Sequence, residues 1–229
     1  MYSSPSTAFV LIFGGLTSSG ASLDTATTLT ITDSTSNFAP CNATKLGKLN
    51  LDCSDFTQLR EDSSGFFRDA SLHHTNTATP GSRTEHAAVF SETTNCLYLF
   101  GGTDLRTSSI KDDLWSFCSQ SNFPIFTSTT EFIWTEIDYS NSLFVPTARH
   151  GHIMLERQLG RLFIHGGSGA WPNQYMNNEA DFDIAMNVWV EVNIGSEMES
   201  RRGHGAAVVN NTLYVHGGTN LYGSMGNVR

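Results

Sequence analysis

Four times along the chain a short apolar run ends in a pair of glycines: Val10-Leu11-Ile12-Phe13-Gly14-Gly15, Leu97-Tyr98-Leu99-Phe100-Gly101-Gly102, Leu162-Phe163-Ile164-His165-Gly166-Gly167 and Leu213-Tyr214-Val215-His216-Gly217-Gly218. Runs this short, rich in β-branched and aromatic residues, read as buried strands. A glycine pair lets the backbone take positive φ or lie against a neighbouring segment. Recurrence constrains the fold more than either feature alone, because it implies one supersecondary unit copied along the chain.

Other signatures recur in fixed order around these strands. Upstream of three of them stand Arg83-Thr84-Glu85-His86, Arg149-His150-Gly151-His152 and Arg201-Arg202-Gly203-His204, each followed by small and apolar residues. Downstream comes an aromatic with an apolar residue three positions later: Phe56 to Leu59, Trp134 to Ile137 and Trp189 to Val192. A further strand pattern intervenes, at Leu29 to Asp33, Asp113 to Phe117 and Ala180 to Asp183. Four strands in constant order make one blade of a β-propeller.

With these residues the chain resembles the Kelch-repeat family, including its secreted members and propellers like the central one of galactose oxidase. The resemblance implies an all-β fold of four-stranded antiparallel blades, with units at about 8–59, 83–137, 149–192 and 201–229 in a single propeller segment. Successive glycine pairs lie 87, 65 and 51 residues apart. A Kelch unit runs to about 50, so the first two intervals carry insertions. The first unit lacks an Arg-x-x-His strand, and the last reaches Arg229 before its third and fourth strands. Four partial blades leave edge strands uncovered, so the ring is expected to be completed by further residues or by another chain.

The cysteines follow from strand register. Paired residues in an antiparallel hairpin have a constant index sum, so if Gly101 faces Asp113, Cys96 faces Cys118. Cys41 and Cys53 remain to close a loop of about a dozen residues, a disulfide worth about 3 kcal/mol. Other pairings, and four reduced thiols, remain open at this point. An even cysteine count and the sequons at Asn42 and Asn210 point to an extracellular, secreted or lumenal protein. The N-terminus has no basic region of the kind that opens a signal peptide, so the leader is absent or the chain is an excerpt.

A net charge of -9 with three lysines, Lys45, Lys48 and Lys111, provides no basic stripe to neutralise phosphates, so nucleic acid is not an expected partner. The longest apolar run, Ala8 to Phe13, is far short of the roughly 18 residues of a membrane span. Blade topology places the connections following the glycine pairs, and those between blades, on one side. That side is expected to receive Trp171, Tyr175 and Tyr222 as recognition residues, with Arg83, Arg149 and Arg201 near the channel mouth. The insertions at Ser34 to Asp52 and Ser119 to Glu131 are assigned to the opposite side.

The repeated histidines His86, His152 and His204 are explained by repeat symmetry without a shared metal, and His165 and His216 occupy the slot held by Phe13 and Phe100. No nucleophile elbow, phosphate loop or His-Glu-x-x-His motif occurs. The reading is therefore a non-enzymatic module that binds protein or glycan, without cofactor or metal. The alternatives are a propeller enzyme of oxidase or isomerase type, with its site at the channel mouth, and an intracellular Kelch adaptor.

Overall fold

The computed structural model describes residues 7–13, 26–32 and 70–71 by their backbone, and residues 78–104, 106–119, 132–170, 174–192, 198–210 and 212–226 with their side chains. The chain forms two compact units. The smaller comprises Met1–Phe13 with Thr25–Leu72, and the larger Gly14–Asp24 with His73–Arg229.

In the smaller unit β1 (Thr7–Phe13) pairs antiparallel with β2 (Ala26–Thr32), which pairs with β3 (Ala70–Ser71). This is blade 1. The strand that pairs with β2 therefore comes later than the Phe56 to Leu59 expected from sequence, and that tetrad lies outside the described residues.

Blade 2 contains β4 (Ala87–Ser91), β5 (Cys96–Phe100), β8 (Leu114–Ser119) and β9 (Phe132–Glu136) in that spatial order. Between β5 and β8 a small hairpin, β6 (Thr103–Asp104) with β7 (Ser109–Ile110), extends past the glycine pair. Blade 3 is β10 (Ile153–Gln158), β11 (Arg161–His165), β12 (Glu179–Asp183) and β13 (Val188–Val192). Blade 4 has β14 (Arg202–Val209), β15 (Thr212–Asn220) and the short β16 (Gly223–Ser224), which folds back on the end of β15 as β7 folds on β6. Every regular element among the described residues is a strand. No helix among them is long and apolar enough to cross a membrane.

Two inner strands start later than their motifs. Arg83 to His86 precede β4, touching β6 only through an isolated bridge from Thr84 to Thr103, and His150 bridges Ser168 in the same way ahead of β10. In these segments Glu85 and Gly151 have φ of 55° and 64°, outside the extended region, as Gly203 does at 65° inside β14.

The core of the larger unit lies between blades 2 and 3. Tyr98 and Phe100 of β5 meet Met154, Leu162 and Ile164 of blade 3, and Trp189 closes the cluster with its ring 5.1 Å from Phe100 and 5.1 Å from Phe182. Every residue of β5 is buried, as a central strand covered on both faces requires. Tilted and offset rings at such distances are the favoured aromatic geometry, and burying each ring contributes several kcal/mol.

Candidate partner-binding surface

The repeated polar residues form the seams between blades. Arg149 enters blade 3 with its N–H donating to the Lys111 carbonyl at 3.1 Å and its own carbonyl accepting from Gly102 N–H at 2.8 Å. Arg201 does the same one blade on, donating to Met176 at 3.0 Å and accepting from Gly167 at 2.8 Å. Two residues further along, Gly151 N–H donates to the Glu85 carbonyl at 2.8 Å and Gly203 N–H to the Gly151 carbonyl at 2.7 Å, so backbone hydrogen bonds link the segments that lead into β4 and β10 to β14.

This close approach accounts for the first glycine of the pairs in blades 2 and 3. A β-carbon at Gly101 would lie 2.5 Å from the Arg149 carbonyl oxygen, and one at Gly166 would lie 2.7 Å from that of Arg201.

The arginine side chains turn back into their own blades. Nη1 of Arg83, Arg149 and Arg201 donates to the carbonyls of Gly101, Gly166 and Gly217 at 2.9, 3.0 and 3.1 Å. Arg83 also holds Asp113 through two bonds of 2.6 and 2.9 Å and reaches the Pro80 carbonyl. All three residues are at most 1% exposed. From sequence they stand near the channel mouth, where ion pairs or bonds to loop backbone are favoured over a grip on an acidic ligand. They make bonds of that structural kind inside the blades, because a carbonyl freed by a glycine turn is a strong acceptor close by and a buried guanidinium needs such partners. Burial alone pulls the Arg149 guanidinium down to about 10.

His152, His165 and His204 are buried as well. His152 packs edge-on against Phe100, with ring centroids 5.5 Å apart, and His165 meets His204 through Nδ1 and Nε2 at 3.1 Å. Burial is the main force holding His152 well below its ordinary value, His165 at about 3 and His204 at about 4, with nearby arginines adding to it. Both members of the His165–His204 pair are thus neutral, one ring nitrogen donating to the other. Among the described residues no group of three His, Cys, Asp or Glu side chains could hold a metal ion.

The outward-facing residues lie on the extensions past the glycine pairs. Tyr222 is 96% exposed at the β15–β16 turn, where its N–H donates to Asn220 Oδ1 at 2.8 Å in an Asx turn. Beside it an open cleft of about 600 Å³ is lined by Glu199, Ser200, Ser224 and Met225. Arg106 projects from the β6–β7 turn, where Asp104 Oδ1 accepts its backbone N–H at 2.8 Å. Tyr175 is half-buried under the Arg202 guanidinium, 5.8 Å above its ring. Trp171 lies outside the described residues, as do Asn42, Cys41, Cys53, the insertion at Ser34 to Asp52 and nearly all of that at Ser119 to Glu131. Asn210 is exposed at the turn from β14 to β15.

Cys96 and Cys118 are cross-strand partners joined by a disulfide, their Cα atoms 4.4 Å apart. Sequence reasoning missed Asp113, which receives both Arg83 and Trp115 Nε1, and it missed the exposed Arg106. The Asp at the head of a strand pattern was the available signal, but its partner stands 30 residues away.

The family model for the KLHDC2/KLHL20/DRC7 Kelch-repeats domain matches residues 67–227. The chain belongs to the Kelch-repeat family. Among solved structures, YjhT superposes with a TM-score of 0.55 at 14% identity, over 93% of this chain and 55% of its own, a likeness that concerns the fold alone. The Kelch chain thus spans little more than half the length of that structure. No curated protein matches it. In Kelch terms, the Arg-x-x-His and Gly-Gly signatures are the two halves of the seams between blades 2 and 3 and between blades 3 and 4.

Proposed function

We propose that this Kelch segment is a non-enzymatic binding and assembly module of an extracellular or lumenal protein, with a protein or glycan partner engaged by the loops past the glycine pairs. The observation that carries the reading is the division of labour among polar residues. Arg83, Arg149, Arg201, His165 and His204 are committed to bonds within and between blades, whereas Tyr222 and Arg106 stand in solvent on turns held by Asx-type hydrogen bonds. A rigidly mounted, exposed tyrosine offers contact area at low entropic cost, which suits a recognition surface. The Cys96–Cys118 disulfide supports an oxidising compartment, and the exposed Asn210 is accessible to a glycan.

Two measurements test the reading. A photo-crosslinking amino acid at position 222 is expected to capture a protein or glycoconjugate from secretory material, while the same group at Leu159, equally outward at 83% exposure, captures none. Equal capture at both positions would defeat the assignment of the surface. The intact mass of native protein under alkylation without reduction is expected to show Cys96 and Cys118 unlabelled. Label on all four cysteines would favour the intracellular adaptor.

A further inference from the structure

The seam between blades 2 and 3 and the seam between blades 3 and 4 share one slot and fill it with different residues. In the first, Phe100 meets His152 edge-on, with ring planes 83° apart and centroids 5.5 Å apart. In the second, His165 holds the Phe100 position and meets His204 at the same 83° and at 5.1 Å, with Nδ1 of one ring 3.1 Å from Nε2 of the other. One partner of the first pair titrates, and both partners of the second do.

The surroundings differ in the same sense. Leu162, Ile164, Ala180 and Phe182 turn toward blade 2 and belong to the apolar cluster. Strand alternation therefore turns Arg161, Phe163 and His165 of β11, with Glu179, Asp181 and Asp183 of β12, toward blade 4. On that face Arg157 holds Asp181, and Arg161 holds Asp183 at 2.9 Å. The second seam thus mixes charged pairs into packing that in the first is apolar.

Burial first, and then the charges of His204, Arg201 and Arg149, oppose a proton on His165. Burial and then Arg201 oppose one on His204. Glu179 stands cross-strand from His165, and His152 lies within electrostatic reach of His204. A cleft of about 370 Å³ lined by Glu85, His86, His152, Arg202 and His204 gives a proton a path to the pair, and its Glu85 is engaged by His150. One proton can be shared between the two ring nitrogens. A second places two cations in contact beside buried guanidinium groups.

We propose that the seam between blades 3 and 4 is an acid-operated gate: protonation of His165 and His204 parts β14–β16 from blade 3 while blades 2 and 3 remain joined. In the closed seam the two histidines titrate at about 3 and about 4. Opened to water both return to about 6.5, so the open form binds more protons below that pH and gains on the closed form as the pH falls. Opening also separates Arg202 from Tyr175, which meet across this seam at 5.8 Å, so a partner bound over both blades would be released. That release rests on the recognition surface proposed above, and the opening does not.

Residue-resolved amide exchange on the intact chain, corrected for the intrinsic pH dependence of exchange, tests the gate. Gly167 and Gly203 N–H cross the second seam to the carbonyls of Arg201 and Gly151, and Gly102 and Gly151 N–H cross the first to those of Arg149 and Glu85. Protection at Gly167 and Gly203 is expected to fall by about a hundredfold or more from pH 7 to pH 5, and to be lost at a higher pH than protection at Gly102 and Gly151. His165→Phe, which restores the ring of the first seam, should cut that fall by about tenfold or more. If this variant does not fold, His165→Asn keeps a polar atom near the Nδ1 position without titrating and serves the same comparison. Loss of protection at all four glycines together would overturn the proposal by reporting global unfolding. Early loss at Gly167 and Gly203 that does not change with pH would overturn it too, as would a pH dependence that the His165 variants leave unaltered. None of these readouts involves a partner, so failure of the gate and failure of the functional reading are separable.

Discussion

At Gly101 the carbonyl oxygen of Arg149 stands 2.5 Å from where a β-carbon would be, and the backbone is at φ +67°. At Gly160, on the β10–β11 turn, φ is +76° but nothing lies within 4 Å of that position. The two glycines therefore separate steric from conformational cost. Gly160→Ala is expected to cost about 1–2 kcal/mol, the left-handed penalty alone. Gly101→Ala must also push back the backbone of the next blade, and should cost at least about 3 kcal/mol. Urea denaturation of the two variants checks the contrast, and equal losses would show that blades 2 and 3 do not meet as closely as described. The arginines show the limit of reading residues from sequence. Their recurrence was plain, but whether a guanidinium faces a ligand or a glycine carbonyl 16–18 residues away depends on where the turn carries that carbonyl.

Between strands β11 and β14 the seam rests on two neutral imidazoles, His165 and His204, in direct hydrogen-bonding contact. Their values in the fold are about 3 and about 4, depressed by burial first and by neighbouring positive charge second. In the unfolded chain both return to about 6.5, so between that pH and about 4 the unfolded state binds more protons. Stability is consequently complete above about pH 6.5 and declines as the pH falls, by up to about 1.4 kcal/mol per pH unit for each histidine. Denaturant midpoints measured from pH 7.5 to 4.5 should fall accordingly. His165→Phe, which adopts the residue found at Phe100 in the preceding blade, should flatten the profile, and a profile equally steep in this variant would remove the pair as its source. Strand order and register were legible at this scale, because apolar alternation and a constant index sum belong to any antiparallel hairpin. The strand β3 was not, since Ala70–Ser71 is two residues long and carries no apolar pattern. Nor was the late start of β4, since positive φ at Glu85 is not encoded by a glycine.

For the molecule as a whole, the Cys96–Cys118 bond ties β5 to β8 across a separation of 22 residues and so constrains the unfolded chain. Reduction, or a paired Cys96→Ser and Cys118→Ser change, is expected to lower stability by about 3 kcal/mol, read as a drop in the urea midpoint. A midpoint insensitive to reductant would leave the disulfide without a stabilising role. The excess of 22 acidic over 13 basic residues should keep the protein from retarding duplex DNA even at low salt, as a gel-shift assay would show. By itself the sequence determined the Kelch blade: the Gly-Gly strand, the motifs in constant order around it, and the cross-strand register that pairs Cys96 with Cys118. These depend on local periodicity and on covalent connection, which a linear chain displays. Only the tertiary structure decided that Gly101 and Gly166 leave room for the next blade's arginine carbonyl, that the arginines point inward, and that Gly217 has no such neighbour among the described residues. Those facts concern surfaces meeting across blades, and a strand carries no local mark of what will be packed against it.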